Sequence, residues 1–417
     1  MSQFFVIGAG ISGITTAYVL NRAGHDGTVI DRHRYPAMET SYANGGQLSA
    51  SNAEVWNSAT TILKALRWLL HRDAPLLLNP SPNWHKYSWM GEFLWSVRHH
   101  RENTLETVRL AIAARETLFE MAKQEGISFD FESRGILHIC QNRRSFDQGM
   151  KTSALLAAGG LERHPVTAEE ISSIEPTLKG TYYGGFYTPS DASGDIHKFA
   201  TGLAAACAAK GVKFVQDAQV ERFEFGAGRF KILASSVKEC ARPRSAVSER
   251  LSFDAGNVVV CGGVGSRRLA SQLGDRLNVY PVKGYSITVG LGDPISVLSA
   301  PRVSLLDEEA KIVTSRLGDD RFRVAGTVEI NGFNLDIRSS RIRPLENWVK
   351  ANFPDVSTAK IVPWAGLRPM MPNMMPVVRA GRRPGVYYNT GHGHLGWTLS
   401  AATASALLGV INSNTRA

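Results

Sequence analysis

The chain has 417 residues, with 47 Lys and Arg against 37 Asp and Glu and a formal net charge of +10. A hydrophobic share of 43% and a mean hydropathy of -0.13 exclude a disordered or fibrous chain, and the length exceeds what one small core fills, so two domains are expected. The basic excess suits nucleic acid, an anionic membrane surface or a carboxylate substrate, and its sign does not choose among them.

The first element is an apolar strand, Phe4-Phe5-Val6-Ile7, that runs into Gly8-Ala9-Gly10-Ile11-Ser12-Gly13. A helix follows, then a second strand, Thr28-Val29-Ile30, ending at Asp31. Gly8 permits a tight turn, Gly10 lets the backbone approach a pyrophosphate, and Gly13 lets the helix pack closely on the strand. The helix N-terminus offers free N–H groups to phosphates, and Asp31 stands where a carboxylate accepts from an adenosine ribose. This start predicts an adenine dinucleotide site and does not decide between NAD and FAD.

A polar, glycine-rich loop without helical period follows over 39–49. Residues 58–72 read as an amphipathic helix, with Ile62, Leu63, Leu66, Leu69 and Leu70 on one face. Pro75, Pro80 and Pro82 break the chain, and an aromatic stretch over 84–100 carries Trp84, Tyr87, Trp89, Phe93 and Trp95. Between Val55 and Arg101 six basic residues face two acidic ones, which predicts a segment able to lie in a membrane interface. Further on, the patterns predict a helix over 105–125, a strand over 135–139, and helices over 145–158 and 195–210. They also predict a strand pair over 212–225 and a loop insertion over 238–250. Asn257-Val258-Val259-Val260-Cys261 is a buried strand entering Gly262-Gly263, and 280–333 alternates in the β manner. No repeat or low-complexity linker interrupts this order. The four cysteines, Cys140, Cys207, Cys240 and Cys261, form no Cys-x-x-Cys pair and read as reduced, buried thiols. No apolar run reaches the ~18 residues of a membrane span, and no basic leader precedes the first strand, so the expected location is the cytoplasm.

Six segments together carry a family resemblance. They are Gly8 to Gly13, Glu39-Thr40-Ser41-Tyr42-Ala43-Asn44-Gly45-Gly46-Gln47, Gly194-Asp195-Ile196-His197-Lys198-Phe199, Tyr280-Pro281-Val282-Lys283-Gly284-Tyr285-Ser286, Trp364-Ala365-Gly366-Leu367-Arg368-Pro369-Met370 and Gly391-His392-Gly393-His394-Leu395-Gly396-Trp397-Thr398. In this order and spacing the chain resembles the FAD-dependent D-amino-acid oxidase and dehydrogenase family, and within it the bacterial D-amino-acid dehydrogenases of small-subunit type. The resemblance implies an α/β fold: a Rossmann-like, glutathione-reductase-type FAD domain over 1–50, 146–275 and 363–417. Into it an α+β substrate and membrane-contact domain, built on a mostly antiparallel sheet, is inserted over 51–145 and 276–362.

On the family pattern Gly8, Gly10, Ile11, Ser12, Gly13, Asp31 and Arg32 would bind the pyrophosphate and adenosine side of FAD. Ser41, Asn44, Gly46, Gln47 and Leu48 would form the loop passing the pyrophosphate and the flavin ring. Val220 would offer backbone groups to the adenine, and Cys261 and Gly262 would form a turn by the cofactor. Gly393, His394, Leu395, Gly396, Trp397 and Thr398 would close over the flavin and start the last helix. No Cys follows Cys261, so FAD is expected to be non-covalent, and no metal is expected.

Arg368 would pair with the substrate carboxylate, for which a guanidinium fork is suited. Tyr285 and His394 would line the substrate space. Two departures from the family bear on the substrate: His394 replaces a usual Thr, and Met371-Pro372-Asn373-Met374-Met375-Pro376 replaces a Thr-Pro-Asp-Gly-Thr-Pro turn. They suggest a larger or more apolar substrate than D-alanine.

The implied reaction is oxidative deamination of a D-amino acid to a 2-oxo acid and ammonia by hydride transfer to flavin N5. Electrons would pass to a quinone or another non-oxygen acceptor, with 55–101 touching the inner face of the cytoplasmic membrane. An oxygen-using oxidase of glycine, sarcosine or an opine-type amine stays open, as does a non-catalytic FAD-binding subunit of a membrane complex. No nucleic-acid partner is expected, because no RNA-binding module accompanies the charge.

Overall fold

A computed structural model describes residues 2–68, 75–226, 229–237 and 250–414. The glycine motif opens a six-stranded sheet. Its order is Val377–Ala380, Val386–Thr390, Asn257–Val260, Gln3–Ile7, Asp26–Ile30 and Lys213–Val215. All pairs are parallel except the first. Side-chain alternation along the first strand divides two cores. Phe4 and Val6 point toward the helices Ile11–Arg22, Ile196–Ala209 and Gly396–Asn414. Phe5 and Ile7 point toward a three-stranded meander of Ala218–Gly226, Arg229–Ser236 and Arg250–Ala255. The sheet is thus buried on both faces, as parallel strands require.

The second sheet has nine strands. Along its main path the order is Ile361–Met370, Tyr280–Gly290, Arg321–Ile330, Ile312–Leu317, Ser304–Asp307, Ile136–Cys140, Gly184–Thr188 and His164–Val166, with Leu76–Leu78 pairing to Arg321–Ile330. It is antiparallel except for two pairs, Ser304–Asp307 with Ile136–Cys140 and Leu76–Leu78 with Arg321–Ile330. One face packs on the helix Ser339–Asn352 through Tyr285, Ile287, Phe322, Val324, Leu345 and Trp348. The opposite face carries Val282, Gly284 and Ser286, paired in register with Arg368, Gly366 and Trp364.

The helix expected over 58–72 is present as Ala59–Trp68; 69–72 lie outside the described residues, as do Cys240 and all of the loop expected over 238–250 except Arg250, which begins a strand. The aromatic stretch forms Trp84–Trp95, then one 3-10 turn, Ser96–His99, that leads straight into the 25-residue helix His100–Gln124. No Gly or Pro stands between 92 and 125 to separate them. Cys140, Cys207 and Cys261 are buried free thiols, each pushed up to about 12 by burial. The segment Gly393–Asn414 is long and apolar enough to cross a membrane, but most of it is buried inside the fold, where its helix packs on Ile11–Arg22 and His100–Gln124.

Candidate active site

A cavity of 1410 Å³ runs between the two sheets. A drug-sized ligand occupies roughly 300–1,000 Å³, so this space accommodates a dinucleotide together with a second molecule. Its first end is the glycine turn. Gly8 has φ +113, and a Cβ there would lie 2.6 Å from Cys261 O. A Cβ on Gly13 would collide with Gly8 O, whereas Gly10 meets nothing closer than Ser41 Oγ at 3.7 Å. Gly8 and Gly13 therefore set the turn and Gly10 leaves it open, which is what a pyrophosphate approaching the backbone needs. Ile11 N donates to Ser41 Oγ at 3.1 Å, and Ser12 Oγ lies 3.2 Å from His392 Nδ1.

Asp31 accepts from Ala9 N at 2.6 Å and His33 N at 2.8 Å. Burial raises its carboxyl, and these two amides offset that only in part. Glu39 is enclosed as well, but His33, 2.8 Å away, and the touching Arg32 hold its carboxyl at about 2. Val220 borders the cavity, and its carbonyl accepts from Arg268 Nη2 at 2.6 Å. The loop beyond is fixed from below: Gly46 N donates to Asn44 Oδ1 at 2.9 Å, and Arg323 Nη1 donates to Asn44 O at 3.1 Å. Gly393, His394, Leu395, Gly396 and Trp397 border the far wall with Cys261 and Gly262, so the N-terminus of the Gly396–Asn414 helix opens onto the cavity.

Gln47 borders the cavity, its side-chain amide donating to Ser304 Oγ at 2.9 Å and Leu305 O at 3.0 Å. Two expectations are corrected. Leu48 pairs with Ala192 and sits in the helix-side core. Thr398 Oγ1 accepts from Ser49 N at 3.3 Å, inside the fold. Tyr285 borders the cavity; its ring also packs into the core beneath the sheet, and its hydroxyl donates to Asp336 O at 3.3 Å. The methionines of 371–375 also pack inward. Met371 lies on Gly391, Met374 joins the core around Trp89 and Val55, and Met375 Sδ accepts from Thr107 Oγ1.

Arg368 stands on the cavity face. Its guanidinium lies over Gly284, where any Cβ would collide with it. Nη1 is buried and has no hydrogen-bond partner among the described residues, and desolvation lowers the group to about 10, so it stays charged at neutral pH. His394 Nε2 lies 3.2 Å from Asn52 O; a carbonyl only accepts, so Nε2 carries the proton. The ring stacks on Trp56 with centroids 4.6 Å apart. Burial, aided by the charge of Arg368, holds it at about 4. A neutral ring with Nε2 protonated leaves Nδ1 as an acceptor.

A model of the FAD dependent oxidoreductase family, DAO, matches residues 3–408. The chain belongs to this family. Its cofactor is FAD, and the open glycine turn, the exposed helix N-terminus and the size of the cavity fit that group. Among relatives, "D-amino acid dehydrogenase 3" of Mesorhizobium japonicum is 57% identical, covering 99% of this chain and 97% of its own. A "D-amino acid dehydrogenase" of Paramagnetospirillum magneticum is 37% identical over 98% of this chain and 94% of its own. The fold is shared with glycine oxidase from Geobacillus kaustophilus, with TM-score 0.75, 17% identity, and 99% and 95% of the two chains covered.

Sequence reading missed Arg323, Trp56 and a polar cluster around His138. Arg323 was visible only as one member of an alternating strand, and nothing local marked it as the residue that holds Asn44.

Two outcomes follow from this site. Arg368→Met should leave FAD bound, read from the flavin absorbance, while weakening a bound carboxylate by about 2–5 kcal/mol, the usual cost of removing one partner of a buried charge pair; unchanged carboxylate affinity in a titration would refute the assignment. The second concerns pH. Burial, together with Arg163 beside His138, holds His138 at about 4, and burial alone does the same to His392. The unfolded chain takes up these protons near pH 6.5. Stability carried by the neutral rings is therefore present above pH 6.5 and lost as pH falls toward 4, at about 1.4 kcal/mol per pH unit for each ring. Urea unfolding between pH 7 and 5 should show this fall, and His138→Gln should flatten it; an unaltered slope in the variant would contradict it.

Proposed function

We propose that the protein oxidatively deaminates D-amino acids to 2-oxo acids and ammonia and passes the electrons to an acceptor other than oxygen. One observation carries this reading: the enclosed Nη1 of Arg368, without a hydrogen-bond partner among the described residues, on the cavity wall of an FAD-dependent oxidoreductase. A carboxylate satisfies the guanidinium with two charge-assisted hydrogen bonds and fixes the position of the neighbouring Cα. The names of the relatives at 57% and 37% identity supply the D-amino acid.

In this reading Gly8, Gly10, Ile11, Ser12 and Gly13 hold the pyrophosphate, Asp31 and Arg32 serve the ribose side, and Val220, Cys261 and Gly262 border the adenosine half. Asn44, Gly46 and the 393–397 turn hold the ring end. Held there without a covalent link, FAD would supply the two-electron oxidising power for the substrate's Cα–H bond. The chain's own task is positioning. Arg368 anchors the carboxylate, and His394, neutral and with Nδ1 unprotonated, offers an acceptor for the substrate amine. Water hydrolyses the imino acid released.

The acceptor side rests on the mouth of the cavity. Met90, Phe93, Leu94 and Phe333 border it, and Asn79 bonded to Asn331 joins the two segments that carry them. Outside, Trp84 is 82% exposed and Trp95 66%, with Arg98 3.8 Å over the Trp95 ring. Exposed Trp beside Arg is the composition of a membrane interface. We propose peripheral contact with the cytoplasmic membrane here, and a membrane quinone as the acceptor.

Anaerobic mixing with D-amino acids should bleach the flavin, and L-enantiomers should not; no bleaching across a broad D-panel would overturn the reading, and hydrogen peroxide formed at the rate of turnover in air would replace the dehydrogenase with an oxidase. Trp84→Ala with Trp95→Ala should abolish cosedimentation with anionic vesicles while dye-linked activity persists. Undiminished cosedimentation would remove the membrane role from this segment.

A further inference from the structure

The cavity does not end at Arg368. Along the wall, residues 49–56 lead from His394, which meets Asn52 O and Trp56, to a polar cluster in which Ser51, His138 and Arg163 are buried and Glu54, Glu308 and Lys311 reach solvent. There Ser51 Oγ lies 3.0 Å from His138 Nε2, and His138 Nδ1 lies 2.9 Å from Glu308 Oε1. Lys311 Nζ donates to Glu308 Oε2 at 2.7 Å, and Thr152 Oγ1 donates to Glu54 Oε2 at 3.0 Å. Arg163 completes the group, its guanidinium 4.4 Å over the Phe186 ring. Ser51, Glu54, His138, Arg163, Glu308 and Lys311 all border the cavity that holds Arg368.

We propose that this end of the cavity receives the substrate's side chain and selects neutral side chains that both accept and donate hydrogen bonds, carboxamides above all. The inference rests on the D-amino-acid reading and names the substrate class within it. Three observations support it. First, the Arg163 side chain is only 1% exposed, yet Nε and Nη2 have no hydrogen-bond partner. The nearest carboxylate, Glu308 Oε1, stands 3.7 Å from Nη2, an ion pair that leaves both donors unused. Buried donors without acceptors are costly, so a ligand acceptor is well rewarded there. Lys311 makes one bond to Glu308 and has further protons to give.

Second, the charges already cancel. Arg163 and Lys311 supply two positive charges, Glu54 and Glu308 two negative ones, and His138 is held neutral by burial. A charged side chain would leave one charge uncompensated beside the buried His138 and Arg163, which is penalised. A neutral carboxamide would not. Its carbonyl suits the free donors of Arg163 and Lys311, and its NH₂ suits the remaining lone pairs of Glu54.

Third, Lys311 lies in the left-handed region at φ +55, where Gly or Asn would sit more easily. A long cationic side chain occupies a backbone position that does not favour it, at the point where it reaches the cavity.

The test compares substrates on the intact FAD-loaded protein. Anaerobic stopped-flow would give the second-order rate of flavin reduction for D-asparagine and D-glutamine, for D-leucine and D-norleucine of similar size, and for charged D-glutamate and D-lysine. The amides should exceed the apolar and charged compounds at least about tenfold, because site donors left unpaired reject a ligand lacking the group. Lys311→Met should bring the amide-to-apolar ratio close to one, and Lys311→Arg should restore it. D-Leucine matching D-asparagine in the unmodified protein, or a ratio unmoved by Lys311→Met, overturns the inference and leaves the deamination reading standing. Failure of every D-amino acid to reduce the flavin overturns that reading and this inference with it.

Discussion

An uncompensated cation on the wall of a closed space is the constraint around which this molecule is arranged. Arg368 is half-buried and charged at neutral pH, and its enclosed Nη1 has no acceptor among the described residues, a state that is costly unless a ligand supplies one. The surroundings are fitted to the guanidinium rather than to its neutralisation. Gly284 has no side chain, because a Cβ would occupy the guanidinium's place. The ten paired residues between Tyr280–Gly290 and Ile361–Met370 fix which face Arg368 takes. His394, close enough to feel its charge, is kept neutral rather than recruited as a second cation. A site of this kind is pre-organised for a carboxylate, since the donors are in place before the ligand arrives.

The cofactor end follows the opposite rule. There the carboxylates are met inside the protein, Asp31 by two backbone amides and Glu39 by Arg32 and His33, while Arg323 gives Nη1 to Asn44 O and keeps a buried Nε without a partner among the described residues. What stays open is backbone, at Gly10 and at the start of the Gly396–Asn414 helix. Partial charges on fixed amides suit a cofactor that remains bound, and a full unpaired charge suits a substrate that comes and goes. The division matches the two sheets, one carrying the glycine turn and the other carrying Arg368.

The sequence made the first of these legible and the second only in part. The glycine turn, its strands and Asp31 lie within 31 residues, so spacing and residue type suffice to read them. The two sheets' strands were mostly visible by alternation, but their order was not, since pairs such as Gln3–Ile7 with Asn257–Val260 join distant segments. Arg368 is unremarkable in composition and became a candidate through its Gly-Leu-Arg-Pro setting. Leu48 and Thr398 belong to the right segments but turn inward to hold the loop and the last helix. The cluster of Ser51, His138 and Glu308 left no trace, being assembled across separations of 87 and 170 residues. The methionines after Pro369 looked like a change of substrate surface and proved to be packing.

The central claim is that Arg368 waits for a carboxylate, and the most direct measurement cuts that interaction from the substrate's side. Flavin reduction by D-alanine and by D-alaninamide, compared under anaerobic conditions in the unmodified protein, isolates the carboxylate while leaving the amine and Cα in place. The account predicts that the amide loses a factor of about 10² or more in the second-order rate, the equivalent of the ~2–5 kcal/mol a buried charge pair carries. Equal rates for the two compounds would contradict it.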